Sequence, residues 1–104
     1  MPAPNQIAPT GRLSGTNADA FEVEMLAALE GDAPGLIVDL GGLEYISSAG
    51  LRVLLLTAKA AKKKGKTMAL AAAKPLVAEA LQLGGFDEII PTHATVDAAL
   101  AAFR

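Results

Sequence analysis

"GLIVDLGGLEYISSAGLRVLLLTAKAAKKKG", residues 35 to 65, decides how the rest of the chain is read. It opens with a short, nearly continuous apolar run, Gly35 to Leu40, set between the turn signals "GDAPG" and Gly41-Gly42. A strand covered on both faces has that pattern, as in the middle of a parallel sheet. "GGLEYIS" then reads as an exit loop. A helix is expected from about Ser48 to Lys64, with Leu51, Leu54, Leu55 and Ala58 on its inner face and Gly65 closing it. Val53 and Leu56 fall off that face, as a buried flank or, if exposed, as partner contacts.

Outward from this centre the same alternation continues. Before it, Asn17 precedes "ADAFEVEMLAALE", where Phe21, Met25 and Leu29 recur every four residues with Leu26 beside them. This is a helix with Asn17 as its N-cap and Asp19 and Glu22 at its positive end. After it, "KTMALAAA" reads as a strand, Pro75 starts the helix "PLVAEALQLGG", "FDEIIPT" holds a last short strand, and Thr95 caps a closing helix lined by Val96, Leu100 and Phe103. Residues 1 to 10 hold three prolines and read as an irregular lead-in or edge strand that Gly11 to Leu13 continues. The expectation is an α/β domain of residues 11 to 104: a mixed, mostly parallel sheet of about four strands with about four helices.

Composition narrows the function. At 104 residues the chain is one domain's worth, and 52% of it is hydrophobic, enough for a core. With one Tyr, three Phe and no Trp, that core is aliphatic. A formal charge of -2 argues against nucleic acid as the partner. The absence of cysteine removes disulfides, thiolate catalysis and cysteine-ligated zinc. The first residues lack a secretion signal, and no apolar run could span a bilayer, so a cytoplasmic protein without membrane insertion is expected. Lys59, Lys62, Lys63, Lys64 and Lys66 cluster at a helix C-terminus, where cations favour the dipole and a solvated end is the plain reading.

Enzyme chemistry is thin. His93 is the only histidine, no P-loop is present, and Asp39 and Glu44 have no nucleophile with a base beside them. No enzyme, cofactor or metal is expected. The serines are more informative. Functional surface in open α/β sheets collects where strands end and helices begin, and Ser47 and Ser48 stand at such a place. One of them should cap the next helix, Gly50 lets another backbone approach, and Arg52 lies four residues beyond Ser48. A phosphate on Ser48 would bring about -1.5 to -2 charges to the positive end of a helix and change an exposed edge without unfolding it.

The stretch from Gly35 to Ile90 resembles the STAS domain of bacterial anti-anti-sigma factors. The family shows an apolar strand ending in Asp-Leu, a short loop, Asp-Ser-Ser-Gly-Leu opening a helix, and a late Leu-x-x-x-Gly-Phe/Leu-Asp. "GRLSGTNADAF" is similar to its Gly-x-Leu-Asp loop before the first helix. The resemblance implies an anti-sigma factor antagonist that binds an anti-sigma factor with serine-kinase activity and frees a sigma factor. That kinase phosphorylates the serine at the helix start and breaks the complex, and a cognate phosphatase resets it. Aligned on Gly50-Leu51, the phosphorylated serine falls on Ser48, the preceding aspartate on Ser47, the second serine on Ala49, and the loop aspartate on Ser14. Ser47 is a second candidate acceptor. Ser14, Gly15, Thr16, Asn17, Glu44, Ser47, Ser48, Ala49, Gly50 and Arg52 form the expected partner surface. The alternative is an accessory STAS subunit of a transporter, such as a lipid-trafficking ATP-driven one, with no phospho-switch. The lead-in is shorter than the family's usual first hairpin, which would expose a sheet edge and favour a homodimer.

Overall fold

A computed structural model describes residues 3–103. Met1 and Pro2, part of the expected lead-in, and Arg104 lie outside the described residues. In chain order the elements are β1 (Asn5–Ile7), β2 (Gly11–Leu13), α1 (Ala18–Ala27), β3 (Gly35–Asp39), β4 (Leu43–Ile46), α2 (Ser48–Lys63), β5 (Thr67–Ala71), α3 (Pro75–Leu83), α4 (Phe86–Ile89), β6 (Thr92–His93) and α5 (Val96–Ala101).

One sheet runs β1-β3-β5-β6 and a second pairs β2 with β4; every pairing among the described residues is parallel. The two sheets are continuations of each other. β1 and β2 are separated by three residues, as are β3 and β4, so two chain segments run side by side, bend together, and pair again beyond the bend. At the bend the Gly11 N–H donates to the Gly42 carbonyl at 3.0 Å, and Gly11 takes φ +75°, a conformation that glycine adopts without steric cost.

The apolar run of β3 is explained by burial on both faces. Leu36 and Val38 point into the main core with Met68 and Leu70 of β5, Phe21 and Met25 of α1, Leu54 of α2, and Val77 of α3. Ile37 points the other way, into a small second core with Ala71 and Ala99, against which Val96 and Leu100 of the closing helix and Phe103 just beyond it pack. Strand periodicity of two therefore divides one run between two layers. Thr95 caps the last helix as expected, its hydroxyl accepting from the Ala98 N–H at 3.0 Å. Pro75 stands at the start of α3, and Gly65 (φ +70°) follows the end of α2.

Four readings of the sequence are corrected. The expected exit loop contains β4, whose alternation of buried Leu43, exposed Glu44, half-buried Tyr45 and buried Ile46 is too short to stand out without its partner β2. "FDEIIPT" is mostly a helical turn, the Ile90 N–H donating to the Phe86 carbonyl at 2.8 Å, and the strand comes later, at Thr92–His93. On α2 the buried positions are Gly50, Val53, Leu54, Thr57 and Ala61, with Leu51, Leu55 and Ala58 only half-buried. Thr57 can occupy that face because its hydroxyl donates to the Val53 carbonyl at 2.8 Å, leaving no unpaired polar atom. Leu26, read as part of the inner face of α1, is exposed.

Candidate functional site

The first turn of α2 is held by two contacts that its sequence supplies. Ser47 is the N-cap, in extended backbone, and its Oγ accepts from the Gly50 N–H at 3.3 Å. Its own N–H donates to the Leu13 carbonyl at 2.8 Å, which ties the helix start to the end of β2. Gly50 makes the second contact. A Cβ there would stand 2.8 Å from Ile46 Cγ1 and 2.9 Å from Leu13 Cγ, so only glycine lets the helix sit this close to β2 and β4. The two serines thereby separate in role. Ser47 is half-buried and engaged in capping; Ser48, the first helical residue, is exposed.

The bond from Ser47 to Leu13 brings the loop after β2 alongside. There Asn17 occupies the N-cap position of α1, but its side chain does not cap, contrary to expectation. Its Oδ1 accepts from the Ser14 N–H at 2.8 Å and its Nδ2 donates to the Arg12 carbonyl at 2.8 Å, closing the loop on itself. The helix N–H groups turn to backbone instead, Ala18 donating to the Ser14 carbonyl at 2.9 Å. The Ser14 and Thr16 hydroxyls lie 3.0 Å apart. Gly15, Thr16 and Asn17 are exposed.

Ser14, Gly15, Thr16 and Asn17 thus adjoin Ser47, Ser48, Ala49 and Gly50 at one edge. Arg52 is exposed one turn along α2, whereas Gly50 is buried and faces Leu13 and Ile46. Glu44 is engaged with another element. It lies on β4 and forms an ion pair with Lys74, which precedes α3. Arg12 and Tyr45 were not singled out in the sequence, yet the Arg12 guanidinium stacks 4.3 Å above the Tyr45 ring on paired strands. Only the parallel register of β2 and β4 brings them together.

Three grooves, of about 240, 410 and 250 Å³, lie elsewhere and none is lined by Ser47 or Ser48. Among the described residues no cluster of three His, Cys, Asp or Glu could hold a metal. Among the described residues no helix is long and apolar enough to cross a membrane.

The STAS domain family model matches residues 5–99. The chain is 39% identical over 94 residues, 90% of this chain and 81% of the relative, to a Bordetella bronchiseptica protein bearing the name anti-sigma factor antagonist BtrV. It is 32% identical to a Mycobacterium tuberculosis protein named as an anti-anti-sigma factor, over 86% of this chain and 62% of that one. Among solved structures, an anti-sigma factor antagonist from Mycobacterium paratuberculosis superposes with a TM-score of 0.85 and 28% identity, covering 93% of this chain and 82% of its own.

Proposed function

On the premise that the chain belongs to the STAS domain family, we propose that it is an anti-sigma factor antagonist of the cytoplasm, switched off by phosphorylation of Ser48. The partner is an anti-sigma factor with serine-kinase activity. It docks on the edge formed by Ser14 to Asn17, Ser47 to Ala49 and Arg52, and a phosphatase restores the free form. The observation that carries this reading is the division of labour between the two serines: Ser47 is spent on the cap and Ser48 is left open to another protein. Named relatives support the antagonist role.

The mechanism follows from charge and position. The first turn of α2 carries no acidic side chain, so the unmodified edge is uncharged except for Arg52. A phosphate on Ser48 adds about -1.5 to -2 charges there. At a helix N-terminus those charges are favourable to the fold, so the domain stays folded. In a desolvated contact the same charges are costly, so the partner leaves.

The test is direct. Incubation with the partner kinase and ATP should add one phosphate by intact mass, lost in Ser48→Ala and retained in Ser47→Ala. Phosphate that persists in Ser48→Ala would move the acceptor to another residue. Co-purification with a membrane ATPase, indifferent to Ser48→Ala, would support the transporter-subunit alternative instead.

A further inference from the structure

The far end of α2 borders a groove that the Ser48 edge does not use. Leu55 on the helix, Met68 at the start of β5, and Ile90 form an apolar floor, and the groove holds about 410 Å³. That is within the roughly 300–1,000 Å³ range of small-molecule sites. Ile89 stands at its margin, 61% exposed.

The rim is cationic. Lys59 and Lys62 line it, and no Asp or Glu does. Of the other lysines nearby, Lys63 does not line the groove, Lys64 pairs with Glu30 at 3.5 Å, and the Lys66 ammonium turns away to the Leu29 and Gly31 carbonyls, lending the groove only its stem. Lys59 and Lys62 form no ion pair among the described residues. The helix dipole accounts for Lys62, in the last turn, but Lys59 stands before that turn. In a chain of net charge -2, two cations without an ion pair over an apolar slot suit a ligand that is both anionic and apolar.

We propose that this groove binds a single-chain amphipathic anion, an acyl carboxylate or alkyl phosphate, with its tail on Leu55, Met68 and Ile90 and its head between Lys59 and Lys62. The charge complementarity of rim and head fixes the orientation, and the floor removes the tail from water. Lys59 and Lys62 lie 11 and 14 residues along α2 from Ser48, about 16–21 Å at 1.5 Å per residue. The ligand and a protein docked at Ser48 therefore occupy opposite ends of the helix.

Titration of the methyl-labelled full chain with decanoate, below its micelle concentration, tests this by NMR. Saturable shifts are expected at Leu55, Met68 and Ile90 and not at Leu13. Lys59→Gln/Lys62→Gln, at exposed positions, should weaken binding about five- to tenfold. Decanol, with the tail and no charge, should bind wild type as weakly as decanoate binds that double variant. Ala58→Phe fills the groove and should abolish binding. If it does not fold, Ile89→Asp, at an exposed position, should weaken binding by repelling the anion. Decyl phosphate in parallel reports which head is preferred, and lysine-dependent binding of either supports the site. Shifts that fail to saturate, or equal affinity in wild type and the lysine variant, overturn it. So does a dimer that Ile89→Asp dissociates, because a second copy would then cover the groove.

Discussion

The two ends of α2 are built on opposite principles. At the N-terminal end the helix is pressed against β2 and β4 through Gly50, fastened by the Ser47-to-Leu13 hydrogen bond, and almost free of charge. At the C-terminal end it packs inward through Thr57 and Ala61, leaves an open groove along Leu55, Ala58, Lys59 and Lys62, and carries its lysines outward. Close packing at one end fixes where Ser48 sits; the open groove beside the other leaves room for something else. A single helix can hold a rigid address and an open slot because its two ends rest on different strands.

The glycine at each end separates these principles most sharply. Gly50→Val should cost about 2–3 kcal/mol in urea unfolding, since its Cβ alone would crowd buried Ile46 and Leu13. Gly65→Ala, with nothing within 4 Å, should cost only about 1–2 kcal/mol, from its φ of +70°. Equal losses would mean that the N-terminal end is not tightly packed. Ser48→Asp should weaken partner binding by about 1–3 kcal/mol in calorimetry while leaving the melting temperature within a few degrees. Wild-type affinity in a folded Ser48→Asp protein would remove this residue from the contact.

Ser47→Ala sharpens the same end. Loss of the cap should destabilise the domain by about 1 kcal/mol, with phosphorylation still on Ser48. Smallest of all, Lys59→Gln/Lys62→Gln should change stability by less than about 0.5 kcal/mol, because both side chains are exposed and without an ion pair among the described residues. Partner affinity at the Ser48 edge should be unchanged in that variant. A change there would show that the two ends are coupled.

Much of this was legible in the residues. The buried strand at Gly35 to Leu40, the cap at Thr95, the helix-starting Pro75 and the closing Gly65 each follow from local pattern or turn chemistry. β4 and the Arg12–Tyr45 stack were not, because four alternating residues gain strand identity only from the neighbour they pair with. Asn17 was misread for a related reason: its side chain chose between capping α1 and closing the loop back to Arg12, and only the position of β2 decided that choice.

The sequence by itself determined the alternation of strands and helices outside β4 and α4, the apolar layers, and which serine-rich turn opens α2, since periodicity and backbone preference are properties of consecutive residues. Tertiary structure alone decided that Ser47 is consumed and Ser48 is free, that Val53 and Thr57 rather than Leu51 and Leu55 face inward, and that a groove with a cationic rim remains beyond. Those outcomes depend on how closely α2 approaches β2, β4 and β5, a distance set by side chains far apart in the chain.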